Sequence, residues 1–219
     1  MLKYKCLVLD HDDTVVQSEA TVNYPCFCRY LETYRPGESI SLADYVGDCN
    51  KMAFVDMCKT RFAMTDAELE IEYGFWKDYA KTHMPDPFPG IGALLHKFRS
   101  AGGMICVSSM SAHDTILRDY RTHFGMEPDA VYGWELPPQQ RKPNAYPLLD
   151  IMERFGLKRS EILVVDDMKL ACQMAQPLGI QVAYSGWNGL GISEIDEEMR
   201  SLCDYSFDST EKLYNFLFD

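Results

Sequence analysis

The stretch LVLDHDDTVV, Leu7 to Val16, decides the fold: an apolar run breaks directly into three carboxylates, Asp10, Asp12 and Asp13, with His11 among them. A short apolar run bounded this way is the mark of a buried strand. Like charges crowded at its end are unfavourable unless something compensates them. Similar runs recur at MICV (104–107), AVYG (130–133), ILVV (162–165) and QVAY (181–184), with a weaker one at DYSF (204–207). Segments of helical length separate most of them, and Gly102, Gly125, Gly156 and Gly179 follow four of these segments as helix-terminating glycines do. The alternation predicts an α/β protein, a Rossmann-like parallel sheet with crossover helices.

Residues 17–86 interrupt the alternation. They contain no convincing strand, but Ser41 with Asp44 and Thr65 with Glu68 have capping-box spacing, and AELEIEYGFWKDYA carries apolar residues at helical intervals. The region is predicted to be an inserted α-helical cap of about four helices, with residues 1–16 and 87–219 forming the α/β catalytic core. PDPFPG (85–90) is the stiff linker by which the chain returns to the sheet.

The chain of 219 residues is 47% hydrophobic and 25% charged, ordinary values for a folded globular protein. Its net charge of -12 disfavours nucleic acid and anionic membrane surfaces as partners. An anionic substrate then needs a locally positive pocket or a metal ion. Eight scattered cysteines include only one close pair, Cys26 and Cys28, with no second pair to complete a zinc site, so reduced thiols are expected. The N-terminal apolar run is too short for a signal peptide and no stretch is long enough to span a bilayer, which predicts a cytoplasmic protein.

In an open parallel sheet, ligands bind at the carboxyl ends of the strands. There the sequence places Asp10 and Asp12 after the first strand, Ser108 and Ser109 after the second, Lys142 ahead of a helix, and Asp166 and Asp167 after ILVV. Converging carboxylates need a hard cation, and oxygen ligands with open positions suit Mg²⁺. With a hydroxyl and an ammonium added, such a site complements a phosphoryl group.

These residues, in this order, resemble the haloacid dehalogenase superfamily, in its phosphoglycolate phosphatase and phosphomutase branch. The DxDxT motif appears as Asp10 to Thr14, the strand-closing hydroxyl as Ser108, the Lys-Pro motif as Lys142 and Pro143, and the closing acids as Asp166 and Asp167. The resemblance implies Asp10 as nucleophile and Asp12 as general acid and base. It implies Ser108 and Lys142 as further catalytic groups, and Ser109 and Thr14 as substrate-binding residues. Mg²⁺ would be held by the Asp10 carboxylate, the Asp12 carbonyl and Asp167, with Asp166 supporting them. One departure is that Asp166 stands where the family's GDxxxD motif has glycine and Ala171 where it has its last acid.

Asp12 favours phosphoryl over carbon chemistry, since an alkoxide leaving group needs a proton and a halide does not. The expected activity is therefore Mg²⁺-dependent hydrolysis of a small phosphorylated metabolite by a monomer or homodimer. A sugar phosphomutase is the alternative; a phospho-switch or non-catalytic binding protein is a third reading. Arg29, Arg35, Lys51 and Arg61 are expected on solvated helix faces, and Tyr73, Trp76 and Tyr79 in the packing of the bundle.

Overall fold

The computed structural model describes residues 2–219. Six parallel strands, β1 (Cys6–Leu9), β2 (Met104–Ser108), β3 (Ala130–Tyr132), β4 (Ile162–Asp166), β5 (Gln181–Ser185) and β6 (Tyr205–Phe207), form one sheet in the order β3-β2-β1-β4-β5-β6. All six expected runs are strands. The chain winds from β1 toward β3, then crosses back to start β4 beside β1, so the switch point lies between β1 and β4.

Period-two alternation gives the sheet its two dry faces. Leu7, Leu9, Ile105, Val107, Leu163 and Val165 pack against α5 (Ile91–Ser100), α6 (His113–Phe124) and α10 (Thr210–Phe218). Cys6, Val8, Cys106, Ile162, Val164 and Val182 face α7 (Tyr146–Phe155), α8 (Lys169–Ala175) and α9 (Ser193–Leu202) on the other side. Burial on both faces explains why the strands read as continuous apolar runs. Leu9 pairs in register with both Val107 and Val165, which sets Asp10 level with Ser108 and Asp166.

Between β1 and β2 lie α1 (Tyr24–Tyr34), α2 (Leu42–Lys51), α3 (Phe54–Phe62) and α4 (Asp66–Ala80), with a core of their own around Phe27, Tyr30, Leu31, Tyr45, Met57 and Phe62. Ser41 and Thr65 each accept a hydrogen bond from the backbone N–H three residues on, and Thr65 with Glu68 completes a reciprocal capping box. A π-helical turn over Glu19–Asn23, which local propensity does not signal, precedes α1. The outgoing and returning chains are stitched together: the Gln17 N–H donates to Asp86 O at 2.9 Å and the Phe88 N–H to Val15 O at 3.0 Å. Among the described residues, no helix is long and apolar enough to cross a membrane.

Candidate active site

At the switch point, the ends of β1 and β4 deliver Asp10, Asp166 and Asp167, whose carboxylate oxygens lie within 4.8 Å of one another. Lys142, 5% exposed, reaches them from the segment before α7. Its ammonium donates to Asp166 Oδ2 at 2.7 Å and lies 2.9 Å from Asp10 Oδ1. Burial opposes the Lys142 charge, but Asp10 and Asp166 outweigh it and hold the group above its ordinary value.

The three acids are not equivalent. Asp166 is fully engaged, since its Oδ1 accepts from the Met168 N–H at 2.9 Å while its Oδ2 holds Lys142. Asp167 has only the Thr14 hydroxyl, at a long 3.5 Å, and its side chain borders the cavity. Asp10 Oδ1 has only the Lys142 ammonium beside it, and Asp10 Oδ2 receives no donor from the described residues. Burial, reinforced by Asp10 and partly offset by Lys142, pushes Asp166 up to about 7. Burial together with Asp166, Asp10 and Asp13 pushes Asp167 well above the usual carboxylate range. Three buried acids against one ammonium leave an excess of negative charge. Two of them keep oxygens free of protein donors, so the site fits a hard divalent cation.

Asp12 is held separately. Its Oδ1 accepts from Ser18 Oγ at 2.6 Å and Asn23 Nδ2 at 3.3 Å, and its Oδ2 from Ser111 Oγ at 2.5 Å. Asn23 is itself oriented by the indole N–H of Trp76, 2.9 Å from Asn23 Oδ1. Asp13 adopts a left-handed backbone (φ 50°), a conformation Asp tolerates through local hydrogen bonding, and its Oδ1 accepts from the Glu19 N–H at 3.0 Å. His11 turns away from the site to pair with buried Asp119 at 3.0 Å.

Asp10, Asp12, Ser109, Lys142 and Asp167 line one cavity of about 90 Å³. Ser108 shares the face of β2 that carries Cys106, and its hydroxyl points to the Met174 sulfur at 3.8 Å, so the hydroxyl-bearing side chain from the end of β2 in the cavity is that of Ser109. Thr14 is fully buried, bonded to Ser185 Oγ at 2.7 Å and 3.5 Å from Asp167 Oδ1, and lies outside the cavity wall.

A second cavity, about 150 Å³, adjoins the first. Asp12, Glu19, Tyr45, Phe54 and Met110 line both, so Asp12 stands at their junction. Tyr73 and Trp76, expected in the packing of the helical bundle, wall this second space, whereas Tyr79 stacks on His83. Arg29, Lys51 and Arg61 are exposed as expected, Arg61 pairing with Asp44 and Asp48, whereas Arg35 is half-buried at the end of α1, paired with Glu38 and Glu68 and donating to Phe62 O. Ser18, Asn23 and Ser111, the residues that fix Asp12, carry no motif of their own. Only the nearness of Ser111 to Ser109 in SSMS hints at one of them.

Residues 7–185 match the family of haloacid dehalogenase-like hydrolases, and the chain belongs to that family. A phosphoglycolate phosphatase of Thiobacillus denitrificans is 26% identical over 216 residues, covering 89% of this chain and 90% of the relative. A Bacteroides fragilis protein provisionally described as a haloacid dehalogenase-like hydrolase superposes with a TM-score of 0.81 at 21% identity, over 96% of this chain and all of that one. A Bacteroides vulgatus protein provisionally described as a β-phosphoglucomutase gives 0.75 at 17% identity, over 97% of this chain and 87% of that one.

Proposed function

We propose that the protein is a Mg²⁺-dependent phosphatase that hydrolyses a small phosphate monoester through a phosphorylated Asp10. The observation that carries this reading is the position of Asp12, which borders both the cavity of Asp10, Ser109, Lys142 and Asp167 and the adjoining space for a leaving group. Asp10, Asp167 and the backbone carbonyl of Asp12 are the groups that would hold Mg²⁺, with Asp166 holding Lys142 in place. Bound there, the ion supplies charge neutralisation between an anionic nucleophile and an anionic phosphoryl group.

The chain's own groups divide the reaction into two displacements. Asp10 attacks phosphorus, the P–O bond to the alcohol breaks, and Asp12 gives its proton to the departing oxygen. Asp12, now a base, takes a proton from water, which attacks the aspartyl phosphate and releases inorganic phosphate. Lys142 keeps Asp10 oriented, and Ser109 donates to a phosphoryl oxygen. The three hydrogen bonds to Asp12 hold its carboxyl at the junction throughout.

A sugar phosphomutase would have to seat a second phosphoryl group in the neighbouring cavity. The ionisable walls there include Glu19 and Glu72 and no cation, which supports hydrolysis over that alternative. With p-nitrophenyl phosphate, turnover is expected to vanish on chelation and return with Mg²⁺. Asp10→Asn should lower kcat by about a thousandfold or more. Near-native turnover by Asp10→Asn would remove the nucleophile assignment.

A further inference from the structure

The second cavity is built for a particular kind of leaving group. Phe54, Tyr73, Trp76 and Trp134 supply aromatic surface, and the charged groups among its walls are Asp12, Glu19 and Glu72. No lysine or arginine lines it. The single ammonium in the adjoining cavity, Lys142, is committed to Asp10 and Asp166. Arg141 stacks on the Trp134 ring at 3.9 Å but is not part of the wall.

Glu72 is the telling residue. It sits on α4, is 5% exposed, lines this cavity, and receives no hydrogen bond or ion pair from the described residues. Glu19, by contrast, accepts from Asn23 Nδ2 at 3.0 Å. Burial without a partner pushes Glu72 up to about 8. A buried carboxylate that lacks a donor is costly unless a ligand supplies one. Aromatic faces beside a carboxylate are complementary to an ammonium group, through cation–π attraction and direct ion pairing. They are anticomplementary to a carboxylate or a second phosphate.

We propose that this cavity binds the alcohol part of the substrate and that the alcohol carries an ammonium group. The enzyme would then convert phosphate monoesters of small amino or quaternary-ammonium alcohols, with water, to the free alcohol and inorganic phosphate. The proposal rests on the first cavity being the phosphoryl site. A volume near 150 Å³, similar to that of a cavity that admits benzene, limits the group to roughly six to eight heavy atoms. A glycolate leaving group fits the volume but sets its carboxylate among Asp12, Glu19 and Glu72.

The test uses two readouts on the full-length protein. The first compares kcat/KM for choline phosphate, ethanolamine phosphate, phosphoglycolate and the uncharged analogue of choline phosphate with carbon in place of nitrogen. The ammonium esters should exceed the uncharged analogue by about tenfold and phosphoglycolate by about a hundredfold. Glu72→Gln should shrink the ratio of choline phosphate to its uncharged analogue by about tenfold. The second readout follows the fluorescence of Trp76 and Trp134 during titration with choline, which needs no turnover. A saturable change is expected with choline, a weaker one in Glu72→Gln, and none with the uncharged alcohol.

If p-nitrophenyl phosphate is hydrolysed but phosphoglycolate outperforms both ammonium esters and choline leaves the fluorescence unchanged, the ammonium proposal is overturned and the phosphatase reading stands. If no ester is turned over yet choline binds saturably and Glu72→Gln weakens it, the ammonium site stands and the phosphatase reading falls.

Discussion

Asp12 and Glu72 are both acidic side chains in the same pair of cavities, yet their surroundings set them opposite tasks. Asp12 receives three hydrogen bonds, from Ser18, Asn23 and Ser111, which fix its carboxyl for the proton transfer we propose. Glu72 receives none from the described residues, and its folded-state value of about 8 stands above the ordinary 4.5. Between those values the folded chain holds a proton that the unfolded chain has lost, so this group's contribution makes stability fall as pH rises from about 4.5 to about 8, after which it levels off. Glu72→Gln removes that dependence. In urea unfolding, the variant's gain over the parent should grow by about 3 kcal/mol between roughly pH 5.5 and 7.5, two units at 1.36 kcal/mol each. Asp13, Asp166 and Asp167 titrate in both proteins, so the difference isolates Glu72. A gain independent of pH would mean that Glu72 finds a partner in solution.

At the scale of elements, α4 links helix capping to the proposed leaving-group site because it carries Glu72, Tyr73 and Trp76 on one stretch. Its first turn is fixed by the Thr65 and Glu68 capping box. Thr65→Ala should destabilise the protein by about 1 kcal/mol, read as a lower urea midpoint at unchanged slope. No shift in midpoint would show that tertiary packing alone holds the helix start. The strands and the capping boxes were legible in the sequence because their signals are local, in apolar runs such as ILVV and in the spacing of Thr65 and Glu68. The choice between Ser108 and Ser109 was not, because neighbouring residues at a strand end point to opposite faces and a one-residue ambiguity moves the hydroxyl from cavity to core. Glu72 was equally hidden. A glutamate among other charges on an amphipathic helix reads as solvated, and only the packing of α4 against α1 buries it. The aromatic walls were hidden for a related reason: Tyr73 and Trp76 have the spacing of packing residues whether the space beside them is filled or empty.

At the scale of the molecule, the parallel sheet solves the electrostatic problem posed by Leu7 to Val16. Crossing back from β3 to β4 brings acids from two strand ends together at the switch point, and Lys142 reaches in from the segment before α7. The net charge of -12 gives an anionic ester no general attraction, so the proposed substrate would have to bind through this local cluster and the cation it fits. Motif order made Asp10, Asp12, Lys142 and Asp167 readable as a set, while Ser18, Asn23 and Ser111, which fix Asp12, come from segments that only the fold joins. The central claim is that phosphorus is bonded for a moment to the side chain of Asp10. Quenching steady turnover of p-nitrophenyl phosphate with borohydride, which reduces an acyl phosphate to an alcohol, and mapping the peptides by mass spectrometry tests it directly. The account predicts homoserine at position 10, and none there when substrate is withheld. Reduction at another acid, or an intact Asp10 in an enzyme caught turning over, would contradict it.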